Sequence, residues 1–134
     1  MFRTQRYAMM QALDRRLFRT VLVVDDEMLI CLDVQMQLEE VGHRVLIASS
    51  VAEATQIIDR ERIDFAVVDW HLGSQSAADI AAALRLKNVP FILCTGSTRE
   101  ELEALFPNVP LLTKPFVSDQ LLDAIDVAVA GAAH

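Results

Sequence analysis

At 134 residues, with 53% hydrophobic and 23% charged residues, the chain has a globular rather than a disordered composition. That length favours a single domain, which buries roughly 70% of the surface its unfolded chain exposes. No run reaches the roughly 20 apolar residues of a membrane span, and the N-terminus lacks the apolar core of a signal peptide, so a cytoplasmic protein is expected.

Net charge is −7 and unevenly spread. Residues 1–19 carry five arginines against Asp14, a net +4 that leaves −11 for the remainder. An acidic body argues against direct nucleic-acid binding, because phosphate contacts need a basic surface. Within the leader, Tyr7, Met10, Leu13 and Leu17 recur at helical spacing. This fits a short amphipathic helix that docks on the body, contacts a partner or lies on anionic lipid; an extension without a role is the alternative.

Thr20 to Val24 is a β-branched apolar run that breaks into Asp25-Asp26-Glu27. A helical pattern follows to about Val41, with Ile30, Val34, Leu38 and Val41 on one stripe and Gly42 as its stop. Arg44 to Ala48 predicts a second strand and Val51 to about Arg60 a second helix, where Ser50 and Glu53 have capping-box spacing. Asp64-Phe65-Ala66-Val67-Val68-Asp69 reads as a strand buried on both faces, of the kind found in parallel sheets, ending in a carboxylate.

Residues 71–75 read as a loop, and Ser76 as the cap of an alanine-rich helix to about Leu86 with Ile80 and Leu84 in the core. Pro90 to Cys94 predicts a fourth strand ended by Thr95-Gly96-Ser97, and Arg99 to Leu105 a short helix. Leu111 to Thr113 is a brief strand, and Lys114-Pro115-Phe116 turns the chain. Ser118 caps a last helix striped with Leu121, Leu122, Ile125 and Val129. Strict strand-helix alternation means a parallel sheet with helices on both faces. Cys31 and Cys94 fall inside these patterns, fit no metal motif, and are expected to be buried reduced thiols.

All strands of such a sheet end on one edge, where open α/β sheets place their ligands. The first ends at Asp25-Asp26, the third at Asp69, the fourth at Thr95-Gly96 and the fifth at Lys114. Three carboxylates at one mouth are costly unless a cation or a proton compensates. Hard carboxylate oxygens suit Mg²⁺, and a lysine with a threonine hydroxyl is what a transferred phosphoryl group needs. Taken singly, each piece is more often a cap, a turn or a loop. Their coincidence at the predicted strand ends is what carries weight.

On Asp25-Asp26, Asp69, Thr95 and Lys114-Pro115-Phe116 the chain resembles the receiver domains of two-component response regulators. The resemblance covers residues 20–131, leaving 1–19 as a basic extension and 132–134 as a tail. It implies a flavodoxin-like (βα)5 fold, a doubly wound five-stranded parallel sheet of order 2-1-3-4-5. It also implies that Asp69 accepts a phosphoryl group from a histidine kinase or a histidine phosphotransfer protein. Mg²⁺ would be held by Asp25, Asp26, Asp69 and the backbone carbonyl of His71. Lys114 and Thr95 would contact the phosphate, with the Gly96 backbone beside them. The Lys114-Pro115 bond would be cis, a form cheap only before proline.

His71 and Ser97 hold positions that in the family tune hydrolysis of the acyl phosphate. Where the family commonly has an inward-swinging aromatic, this chain has Leu111, and the shortened segments around Thr95 predict a stunted fourth helix. Pro90-Phe91 followed by Thr95-Gly96 resembles an atypical branch of single-domain receivers from alphaproteobacteria. The leading expectation is a stand-alone receiver, self-phosphorylating rather than a turnover enzyme. It would act through protein contacts or a dimer on the fourth helix, fifth strand and fifth helix, with Leu102, Leu105 and Phe106 as contact or core residues. A receiver cut from a larger regulator or hybrid kinase is the alternative. A phosphatase with its nucleophile on the first strand is the other, but such enzymes place a second aspartate two residues on.

Overall fold

The computed structural model describes residues 19–96 and 99–132. The expected leader helix over residues 1–18, Ser97 and the tail after 132 lie outside the described residues. Strands β1 (Thr20–Val24), β2 (Arg44–Ala48), β3 (Phe65–Asp69), β6 (Phe91–Thr95) and β7 (Leu111–Thr113) form one parallel sheet. Its order is β2-β1-β3-β6-β7, which is the expected 2-1-3-4-5 once the two short strands β4 (His71–Leu72) and β5 (Gln75–Ser76) are set aside.

Helices α1 (Met28–Glu40), α2 (Val51–Arg60), α3 (Ala78–Leu86), α4 (Arg99–Leu105) and α5 (Ser118–Ala132) cover the two faces. Successive strand side chains point to opposite faces, so each central strand feeds two cores. Val21, Val23, Phe65, Val67 and Ile92 pack against Cys31, Val34 and Leu38 of α1 and Leu121 and Ile125 of α5. Leu22, Val24, Ala66, Val68 and Leu93 pack with Ala54 and Ile58 of α2, Ile80 and Leu84 of α3, and Leu102 and Phe106. Every residue of β3 is buried, as its unbroken apolar run requires of a central parallel strand.

Local signals set most boundaries. Gly42 has φ +97°, a left-handed turn that frees the chain from α1 and sends it into β2. Ser50 Oγ accepts the Glu53 N–H at 3.2 Å. The reciprocal half of the box differs: the Glu53 carboxylate takes the backbone N–H and hydroxyl of Ser49 rather than of Ser50. Ser50→Ala is expected to cost about 1 kcal/mol, read as a shift of the urea midpoint at unchanged m-value.

Three expectations are corrected. Residues 71–76 form a small antiparallel hairpin, turned by Gly73 at φ +63°, rather than an open loop. The residue at the N-cap position of α3 is Ala77, while Ser76 is paired in the hairpin with its hydroxyl 3.4 Å from the Ala78 N–H. Ser118 is the first residue of α5, and Gln120 Oε1 accepts the preceding Val117 N–H at 2.9 Å. The fourth helix is short as expected, at 7 residues. Both cysteines are free and buried, and burial pushes the Cys94 thiol up to about 12. No described helix is long and apolar enough to cross a membrane.

Candidate functional site

The carboxyl ends of β1, β3, β6 and β7 bring Asp25, Asp69, Thr95 and Lys114 to one edge of the sheet. All of these but Lys114 are buried, with Asp25 at 3%, Asp69 at 6% and Thr95 at 0% exposure. Asp25 has each carboxylate oxygen engaged. Oδ1 accepts the Glu27 N–H at 2.9 Å, and Oδ2 accepts from Lys114 Nζ at 2.7 Å. The same ammonium lies 3.2 Å from Asp69 Oδ2. Lys114 therefore sits between two buried carboxylates contributed by strands that are far apart in sequence.

The backbone holds this lysine in place. Lys114 donates its N–H to the Thr95 carbonyl at 2.9 Å, and the following Lys114-Pro115 peptide is cis, as expected. Asp69 closes β3 with Cys94 as its register partner, and the Trp70 N–H donates to the Cys94 carbonyl at 2.9 Å. Beyond it, Trp70 packs edge-on against Phe106 with ring centroids 5.5 Å apart. Arg85 lies over the same Phe106 ring at 4.8 Å. This aromatic contact joins the residue after Asp69 to the end of α4.

Burial and crowded charge both act on the titratable groups of the site. Burial, then the neighbouring Asp25 charge, pushes the Asp69 carboxyl up to about 6 despite the opposing pull of Lys114. Burial alone would lower the Lys114 pKa, but its bond to Asp25 and the charges of Asp69 and Asp25 outweigh that and raise it. The site thus holds more negative charge than one lysine neutralises.

The acidic residues also gather at the mouth. Asp25, Asp26 and Glu27 each offer a carboxylate oxygen, and these atoms lie within 4.8 Å of one another. Such hard oxygen donors, beside a carboxyl whose pKa burial and the Asp25 charge raise, fit a small divalent cation. Glu27 offers an oxygen beside those of Asp25 and Asp26, while Asp69, expected with them as a ligand, lies 3.2 Å from Lys114 Nζ. Glu27 was legible only as the third member of the acidic run after β1. Asp26 Oδ2 accepts the Gly73 N–H at 2.9 Å, so the hairpin after Asp69 is tied to the acidic turn.

His71 is exposed at the start of that hairpin, two residues beyond Asp69. Gly96 follows β6, and a Cβ added to it would meet nothing within 4 Å. Leu111 is half-buried against the core in β7. Of the three proposed surface residues, Leu102 and Phe106 are core residues and Leu105 is 61% exposed.

Residues 21–126 match the response regulator receiver domain model. The transcriptional regulatory protein PdtaR of Mycobacterium tuberculosis is 26% identical over 117 residues, covering 84% of this chain and 57% of PdtaR. The chain therefore spans little more than half of that relative. A response regulator receiver protein from Sinorhizobium medicae superposes with a TM-score of 0.79 at 27% identity, covering 87% of this chain and 98% of that one. The receiver domain of the sensor histidine kinase PA1611 from Pseudomonas aeruginosa, with a magnesium ion coordinated in its active-site cleft, shares the fold. Its TM-score is 0.73 at 20% identity over 84% of this chain and 98% of that one. The family match over nearly all of the described sheet and helices, on a fold that gathers these carboxylates with a lysine and a threonine, makes this chain a member of the response regulator receiver domains.

Proposed function

We propose that this receiver takes a phosphoryl group onto Asp69 from the phosphohistidine of a histidine kinase or phosphotransfer protein. The observation that carries the reading is the Lys114 ammonium, 2.7 Å from Asp25 and 3.2 Å from Asp69 at the carboxyl edge of the sheet. An Asp69 carboxylate oxygen attacks phosphorus, the P–N bond to the donor imidazole breaks, and a P–O bond forms to give an acyl phosphate. The imidazole leaves with its electron pair and takes up a proton. Lys114, 3.2 Å from Asp69, would contact the arriving oxygens, and Thr95, buried at the end of β6, is the hydroxyl expected to hydrogen-bond them. Mg²⁺, held by Asp25 and Asp26 with Glu27 beside them, would supply the remaining charge neutralisation at the phosphoryl group. The magnesium in the Pseudomonas receiver's cleft is consistent with that assignment.

The product is a modified protein rather than a released molecule, so the chain is read as a switch and not a turnover enzyme. A nucleophile on the first strand is disfavoured because Asp25 and Asp26 are adjacent and Asp25 is already bound by Lys114 and the Glu27 N–H. Output through protein contacts on α4, β7 and α5 is supported by the exposed Leu105 and Val127. A receiver portion of a longer regulator is the second reading, favoured by the greater length of PdtaR.

Incubation with Mg²⁺ and a small acyl phosphate, followed by intact mass, tests the assignment. Wild type is expected to gain one phosphoryl group and Asp69→Ala none; no gain in either rules the function out. His71 lies two residues from the acyl phosphate and is proposed to orient or block attacking water. His71→Ala is expected to change the dephosphorylation rate several-fold, and an unchanged rate removes that role.

A further inference from the structure

The hairpin that follows Asp69 is built to present its tip at one place. Its base is closed by the Ala77 N–H, which donates to the Trp70 carbonyl at 2.9 Å. Leu72 and Ala77 are both buried and belong to one of the two cores, so the hairpin is seated from below. His71 pairs with Ser76 and Leu72 with Gln75, which leaves Gly73 and Ser74 alone to make the turn. Two-residue hairpin loops favour turns that need positive φ, and glycine meets that need at no steric cost. Gly73 has φ +63°.

At the tip, the Gly73 N–H donates to Asp26 Oδ2 at 2.9 Å, across 47 residues of chain. Asp26 is exposed on the acidic turn, with carboxylate oxygens of Asp25, Asp26 and Glu27 within 4.8 Å of one another. Carboxylates this close repel, and an exposed side chain on a turn rotates away unless something holds it. For Asp25 the holding group is Lys114, at 2.7 Å. For Asp26 it is this backbone amide, and a hydrogen bond to an ionised acceptor is among the stronger kinds. A Cβ at Gly73 would meet nothing within 4 Å, so glycine is not there to make room. It is there for the backbone conformation that delivers the N–H.

We propose that Gly73 is a positioning residue of the cation site: its backbone N–H holds the Asp26 carboxylate beside that of Asp25, ready for a divalent cation. The inference rests on the Mg²⁺ site of the proposed function. One oxygen of Asp26 is taken by the amide and the other is left for the ion. The rotational freedom of the side chain is thus given up in folding rather than when the ion arrives. The family resemblance assigns only the His71 carbonyl of this segment to the ion; the hairpin tip adds a donor that acts through Asp26.

Binding of Mn²⁺, an ion suited to the same octahedral oxygen sites as Mg²⁺, tests this on the full chain without phosphorylation, with the free ion read by electron paramagnetic resonance. Gly73→Val, β-branched at a positive φ, is expected to weaken binding about tenfold, as loss of an outer hydrogen bond to a ligand does. Gly73→Asn, which tolerates the left-handed conformation and keeps the N–H, should stay within about twofold of wild type. Asp26→Glu keeps a carboxylate but displaces it from the amide, so adding Gly73→Val to it should weaken binding no further. Wild-type affinity in Gly73→Val overturns the proposal. So does a loss that Gly73→Asn fails to rescue, or one that recurs in full on Asp26→Glu, which makes the hairpin act through another group such as the His71 carbonyl. No Mn²⁺ bound by wild type is a different failure: it removes the cation site itself, and the positioning role with it.

Discussion

Asp69→Asn is expected to yield a protein that accepts no phosphoryl group yet is more stable than wild type at pH 7 in the absence of Mg²⁺. The asparagine is nearly isosteric and keeps β3 filled, but it carries no charge into a buried site already occupied by Asp25. In the wild type the Asp69 carboxyl is raised to about 6 from 3.8. A carboxyl raised on folding binds its proton more tightly in the native state. Its contribution to stability is complete below the unfolded value and is lost as pH rises through about 6. After allowance for solvent screening at the mouth, that loss is about 1–2 kcal/mol.

Wild type should therefore lose stability between about pH 4 and pH 6.5, and Asp69→Asn should lack that component. Urea midpoints measured across the interval check this; parallel profiles for the two proteins would mean that burial and the Asp25 charge do not raise the Asp69 carboxyl. A divalent cation that binds only the native site restores stability to wild type by mass action, and more at pH 7 than at pH 5.

Lys114→Ala is expected to be the most damaging change at the site, costing roughly 3 kcal/mol at neutral pH. Two carboxylates that are 3% and 6% exposed would face one another without a counter-charge. Removing one partner of a buried ion pair costs more than the pair contributes, because the desolvated charge stays behind. The deficit should shrink on acidification, as Asp69 takes up a proton, and in Mg²⁺. Lys114→Met, which keeps most of the aliphatic stem, separates charge from packing. If the methionine variant is as stable as wild type at pH 7, the charge argument fails. In either variant, phosphorylation should be strongly slowed.

The regular parts of the fold were legible because burial imposes a period. The valine-rich runs at Thr20–Val24 and Phe65–Asp69 became strands with the expected ends, and the apolar stripes at Val34-Leu38 and Leu121-Ile125 became the buried faces of α1 and α5. The site residues were legible for a topological reason: parallel strands end on one edge, so the residues after each run had to converge.

What escaped depends on contacts rather than pattern. A two-by-two hairpin such as His71-Leu72 with Gln75-Ser76 is too short to show alternation, and its register depends on Gly73 and on the Asp26 carboxylate across the site. Glu27 was visible in the sequence, but its approach to the Asp25 and Asp26 carboxylates accompanies the turn in which Asp25 accepts the Glu27 N–H. Likewise the Trp70–Phe106–Arg85 contact joins three segments that no spacing relates.

The proposed function requires a single atom, a carboxylate oxygen of Asp69, to become the phosphoryl carrier. Borohydride reduction of the phosphorylated protein, followed by peptide mapping, addresses that atom directly, since an aspartyl phosphate is reduced to homoserine and a phosphate ester of serine or threonine is not. Homoserine at position 69, dependent on Mg²⁺, is the predicted result. Homoserine at position 25 or 26, or a phosphoryl group that survives reduction on a hydroxyl residue, would contradict it.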